Sequence, residues 1–69
     1  QEVMNVMTYI EKLKNLRKAS NLTQADIANV LFVTQTAYSK YERGVRAMPI
    51  EVLKQLADFY KVSTDWLLK

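Results

Sequence analysis

A chain of 69 residues has room for one domain around one small core, and such a core is stable only if its helices pack well or the chain self-associates. The 49% hydrophobic content is enough for that core, while the absence of Cys and His removes a disulfide framework, a thiol nucleophile, an imidazole base and the usual zinc ligands. A net charge of +3 suits a polyanionic partner without implying one.

Residues 1–7 read as a short, apolar, uncapped tail, and Gln1 in place of Met suggests trimming or excision from something longer. No apolar run approaches the ~20 residues of a membrane span, and the N-terminus lacks the basic and apolar pattern of a signal sequence, so a soluble cytoplasmic protein is expected. From Thr8 the pattern changes. Thr8-Tyr9-Ile10-Glu11 reads as a capping box, and Ile10, Leu13, Leu16 and Arg17 then fall on one face of a helix expected to run from Thr8 to Ala19. Ser20-Asn21 ends it, and Leu22 is expected as a buried plug.

Thr23 is a natural N-cap for a second helix over 24–31, with Asp26 favoured by the positive end of the helix dipole. Ile27, Ala28 and Leu31 supply its buried stripe, and the small Ala28 lets another backbone approach. Only Phe32 and Val33 separate Leu31 from Thr34, which can cap the next helix. The two helices must therefore turn sharply against each other, which is the helix-turn-helix arrangement.

The third helix, expected over 35–43, has two unlike faces. At about 100° per residue, Gln35, Thr36, Ser39, Lys40 and Arg43 share one arc of roughly 140°, whereas Ala37, Tyr38 and Tyr41 occupy the opposite side. The polar arc holds amides, hydroxyls and cations but no acid, and Glu42 sits at its border. Those are the groups that hydrogen-bond base edges and phosphates. Periodicity alone is better served by an ordinary solvated helix face.

Gly44, the chain's single glycine, stands where a left-handed C-cap would end this helix. Val45 to Met48 form a connecting loop that carries Arg46, and Pro49 pre-sets the start of a fourth helix over about 50–60. Ile50, Leu53, Leu56, Ala57 and Tyr60 are its expected inward residues. Val62-Ser63 then re-caps a short fifth helix with Trp66 and Leu67. Tyr38, Tyr41, Tyr60 and Trp66 fall on core-facing positions, so packing accounts for them better than base stacking does. Phe59 lies off the main stripe; with Leu68 it is a candidate self-association surface.

Charge is unevenly spread. Between Arg17 and Arg46 the charged residues are Arg17, Lys18, Lys40, Arg43 and Arg46 against Asp26 and Glu42, while several acids, Glu2, Glu51, Asp58 and Asp65 among them, lie outside. Arg17 continues the buried stripe of the first helix and Glu42 borders the apolar arc of the third. That placement invites a partly buried ion pair with a structural role, orienting one helix against the other.

The run Leu16-Arg17, Leu22-Thr23-Gln24, Ile27-Ala28, Val33-Thr34, Tyr41-Glu42-Arg43-Gly44, Pro49, Leu56-Ala57 and Val62 to Leu68 resembles the phage-repressor and Cro-like helix-turn-helix family, often called XRE-type. The resemblance spans roughly residues 8–68 without a gap. It implies an all-α, compact five-helix fold over 8–69 that binds double-stranded DNA as a homodimer on a palindromic operator and regulates transcription, most often as a repressor. By the same resemblance Gln35, Thr36, Ser39 and Lys40 read bases, while Gln24, Thr34 and Arg43 contact phosphates, with Arg46 available beside them. Family members also often pair the positions of Arg17 and Glu42, and dimerise near their C-terminal helices. One position departs from the pattern: Phe32 replaces the usual turn glycine, so either a strained positive φ is carried there or the turn is built differently.

Catalysis finds no support. The seven carboxylates are spread singly, no nucleophile lies beside a base, and there is no P-loop, cofactor motif or metal cluster. The alternative class is a helical protein-interaction module, or an antitoxin-like protein that keeps the fold and binds a partner, with an effector domain or protein partner outside this chain.

Overall fold

The computed structural model describes the backbone of residues 5–68 and the side chains of residues 9–68. Among the described residues five helices follow one another: α1 (Asn5–Ala19), α2 (Gln24–Leu31), α3 (Gln35–Arg43), α4 (Ile50–Tyr60) and α5 (Thr64–Leu68). No strand occurs among the described residues. The first four residues of the 1–7 tail, Glu2 among them, and Lys69 lie outside the described residues.

The first helix differs from its expected start. It is already helical at Asn5, so Thr8 lies inside α1 and does not cap it. Asn5, Val6 and Met7 contain no Gly or Pro, and a capping sequence marks where a helix is able to begin without forbidding the turn before it. The C-terminal end follows expectation. Ser20 N–H donates to the carbonyls of Leu16 and Arg17, Asn21 turns left-handed at φ 60, and Leu22 N–H closes back on Arg17 O at 3.1 Å. Leu22 is half-buried and packs against the core.

Every later helix is started by a specific device. At α2, Thr23 Oγ1 accepts from Asp26 N–H at 3.1 Å while the Asp26 carboxylate accepts from Thr23 N–H at 2.9 Å, a reciprocal capping box. At α3, Thr34 Oγ1 accepts from Ala37 N–H at 3.1 Å. Pro49 precedes α4 with φ −61, and Ser63 Oγ accepts from Trp66 N–H at 2.9 Å to start α5. Gly44 ends α3 at φ 75, in the left-handed region where glycine carries no Cβ penalty.

The turn between α2 and α3 keeps its left-handed geometry without glycine. Phe32 has φ 59 and ψ 41, and Val33 N–H reaches Ala28 O at 3.0 Å, the closure of a Schellman-type end. A Cβ-bearing residue there costs about 1–2 kcal/mol. The Phe32 ring recovers nothing from the core, since it is 92% exposed.

The core is a cluster of Leu13 from α1, Ile27, Ala28 and Leu31 from α2, Tyr38 and Tyr41 from α3, Leu53, Leu56 and Ala57 from α4, and Leu67 from α5. Helix α3 packs on α1 and α2, and α5 bridges α1 and α4. Two inward assignments fail. Ile50 is mostly exposed, because in the first turn of α4 it precedes the Leu53, Leu56, Ala57 stripe that reaches the core. Trp66 is 45% exposed, because Leu67, wholly buried, takes the single inward position of the short α5. Trp66 instead lies along α1, where Lys12 Nζ sits 4.7 Å from its ring centroid and bonds its carbonyl at 2.6 Å. Tyr38 and Tyr41 are buried, Tyr60 is half-buried, and Phe59 is 42% exposed with its ring edge-on to Tyr60.

Candidate nucleic-acid interface

Helix α3 is amphipathic in the strict sense that each side has a different solvent. Tyr38, Tyr41 and Glu42 face inward, and Gln35, Thr36 and Arg43 are exposed, with Ser39 and Lys40 half-buried between them. The sharp turn at Phe32 sets α3 against the start of α2, and the two helices frame an open concavity lined by Gln24, Gln35, Thr36, Ser39 and Arg43. Its lining contains amides, hydroxyls and one guanidinium. Among the described residues no carboxylate lines it.

The other candidate residues stand around this centre. Thr34 is exposed at the N-cap of α3, and its hydroxyl, already accepting from Ala37, keeps its proton to donate. Arg46 is exposed in the loop before α4. Lys40 lies on α3 but outside the lining itself. Phe59 and Leu68 are exposed on α4 and α5, away from the concavity in sequence, together with Trp66.

Beneath the concavity lies a buried polar node. Glu42 is only 4% exposed, and its carboxylate accepts from Arg17 Nε at 2.7 Å and Nη2 at 3.2 Å, from Tyr38 Oη at 2.7 Å and from Gln24 Nε2 at 3.0 Å. Arg17 Nη1 also donates to Leu22 O at 2.8 Å, so the guanidinium grips both α3 and the link into α2. Burial alone would push the Glu42 carboxyl up. The hydrogen bonds from Arg17, Tyr38 and Gln24 outweigh it and hold the group below the ordinary carboxylate value. The hydrogen bond to Glu42 raises Arg17, and burial followed by the Glu42 hydrogen bond raises Tyr38. Burial lifts Tyr60 to about 12, its hydroxyl lacking a partner among the described residues.

Two members of this node go beyond their sequence pattern. Tyr38 has the periodicity of a packing residue, yet its hydroxyl bonds Glu42, a role signalled by their i, i+4 spacing. Gln24 carries no local sign of its bond to Glu42 across 18 residues.

Comparison with known proteins agrees with this architecture. A family model described as helix-turn-helix matches residues 13–67. The chain is 44% identical over 62 residues to the HTH-type transcriptional activator BcrR of Enterococcus faecalis, covering 90% of this chain and 30% of that protein. It is 42% identical over 57 residues to the cryptic phage CTXphi transcriptional repressor RstR of Vibrio cholerae serotype O1, covering 83% and 51%. An uncharacterized HTH-type transcriptional regulator of Bacillus subtilis, YqaE, shares 39% over 61 residues, covering 88% and 53%. The chain thus spans about a third to a half of the length of these relatives. No solved structure gives a significant match. With the family model matching residues 13–67 and the capped α2–turn–α3 unit at the centre of the fold, the chain belongs to the helix-turn-helix family.

Proposed function

We propose that this domain binds double-stranded DNA sequence-specifically, with α3 in the major groove, and that it regulates transcription as a homodimer on a palindromic operator. The observation that carries the reading is the acid-free concavity of Gln24, Gln35, Thr36, Ser39 and Arg43 at the junction of α2 and α3. Gln35 is the candidate for bidentate pairing with adenine, Lys40 donates to guanine O6 or N7, and Thr36 and Ser39 complete the base-reading set. Gln24, Thr34, Arg43 and Arg46 serve the phosphates and fix the register of the helix on the duplex. Phe59 and Leu68 form the dimer surface, which sets half-sites about one helical turn apart.

Repression follows when the occupied operator overlaps a promoter. Relatives named as an activator and as a repressor both share this domain, so the direction of control belongs to operator position and to the rest of the protein. The family and the relatives' names support a non-catalytic role. No helix among the described residues is long and apolar enough to cross a membrane.

Selection of bound sequences from a randomised duplex pool, at low and near-physiological salt, tests the proposal. Enrichment of an inverted repeat that survives the higher salt supports specific dimeric recognition. Binding without enrichment that vanishes as salt rises reduces the site to a basic patch, and no binding at either salt favours a protein-interaction module. On the enriched duplex, Gln35→Ala should lower discrimination at one or two base positions by about 1–3 kcal/mol. Arg43→Ala should weaken binding to all sequences alike and reduce the salt slope by about 1. An unchanged preferred sequence in Gln35→Ala would remove the base assignment.

A further inference from the structure

Gln24 belongs to two places at once. It lines the concavity with Gln35, Thr36, Ser39 and Arg43, and its Nε2 donates to Glu42 Oε1 at 3.0 Å. An ionised carboxylate can only accept hydrogen bonds, whereas a glutamine amide has one end that donates and one that accepts. Glu42 therefore admits this amide nitrogen-first and rejects the flipped form, in which two oxygens would meet. The choice between the two amide orientations is made by a charge inside the domain.

That charge is itself firmly held. Arg17 grips both carboxylate oxygens and Tyr38, fully buried, donates to Oε2. The carboxyl is held below its ordinary value by these partners, so it stays ionised at neutral pH. Arg17 is in turn tied to Leu22 O, in the segment that leads into α2 and Gln24. The node thus positions both the backbone that carries Gln24 and the polarity of its amide.

We infer that Glu42, backed by Arg17 and Tyr38, is a positioning residue for DNA recognition, acting through Gln24. By keeping one amide hydrogen for itself, it leaves Gln24 with its oxygen and its second hydrogen as the polar atoms for a ligand in the concavity. The donor and acceptor pattern facing the DNA is then single-valued before DNA arrives, which removes the cost of selecting one orientation on binding. This rests on the DNA-binding reading above and adds to it that a buried residue contributes to recognition.

Two variants separate positioning from mere support of the fold. Glu42→Gln is isosteric and lets residue 42 donate, which releases the preference for one Gln24 orientation. The triple variant Arg17→Met, Tyr38→Phe, Glu42→Met replaces the node with apolar groups, a type of exchange that buried ion pairs often tolerate. The first readout needs no DNA: in the parent chain one Gln24 Nε2 proton should exchange slowly with solvent by NMR, and in either folded variant it should exchange as an exposed amide does. The second readout is affinity for the duplex enriched by the parent chain. Either variant should lose about tenfold there, and the loss should disappear when the same changes are made in a Gln24→Ala background, because the coupling runs through that side chain. An equal loss with and without Gln24 would overturn the inference, as would a Gln24 amide that exchanges freely in the parent. A protected amide in a chain that enriches no duplex would support the amide lock and overturn the DNA reading.

Discussion

The two polar regions of α3 are opposites in how their hydrogen bonds are satisfied. Along the outer arc, Gln35, Thr36 and Arg43 are exposed and line an open concavity, and water or a ligand must complete them. One residue away from Arg43, Glu42 is buried and receives four hydrogen bonds from within the chain. Similar chemistry therefore supports different tasks. A polar group completed by the chain holds the fold, and one left open to solvent is available for recognition. Gln24 is the residue that touches both regions.

The contrast can be broken most sharply at the node. Glu42→Ala should destabilise the domain by about 3–5 kcal/mol in urea unfolding, since it leaves Arg17 and the Tyr38 hydroxyl buried without their partner. Arg17→Ala with Glu42→Ala should cost less than the sum of the two single changes. A cycle without coupling would show that the pair does not orient α1 against α3. On the outer arc, Gln35→Ala should move stability by less than about 0.5 kcal/mol even while it changes DNA preference.

Acid sharpens the same comparison. The folded-state value of Glu42 lies below its ordinary value of 4.5, so its contribution is complete above that value. It is lost as pH falls through the lowered folded value, where the native carboxylate finally binds a proton. Urea midpoints at pH 7 and pH 3 should therefore show Glu42→Gln approaching the parent chain as pH falls. A constant gap between the two would contradict this. The Tyr60 hydroxyl works in the other direction. Its value rises from 10.0 to about 12 on folding, so its contribution is present below pH 10 and is lost as pH rises toward 12.

A change smaller than any at the node is expected at the turn that joins α2 to α3. Phe32→Gly relieves a left-handed Cβ and removes an exposed ring, against the greater chain entropy of glycine. A gain of about 0.5–1 kcal/mol in thermal or urea unfolding is expected. Destabilisation instead would mean that the ring makes a contact that compensates for its backbone.

Local chemistry explains why α2 and α3 were legible residue by residue. Thr23, Asp26, Thr34 and Gly44 act within three or four residues of themselves, so their spacing along the chain identifies them. The start of α1 was misplaced because Thr8 has capping chemistry, but whether a helix stops at a cap depends on the residues before it. Ile50 shows that helical periodicity assigns a direction and not a depth, since in the first turn of α4 it points along the stripe without reaching the core. In the five-residue α5 the one inward position belongs to Leu67, which leaves Trp66 to one side.

The helical architecture, the caps and the acid-free arc of α3 can be read from the chain because each depends on spacings of a few residues, and the likeness to a helix-turn-helix family because such spacings keep register along the chain. Only the packing of separate helices brings Gln24 to Glu42 and lays Lys12 over Trp66 from 54 residues away. The physical reason is the range of the interactions. Caps and stripes are settled within one or two turns of helix, whereas a buried charge collects its donors from whichever elements the packed core brings within 3 Å or so.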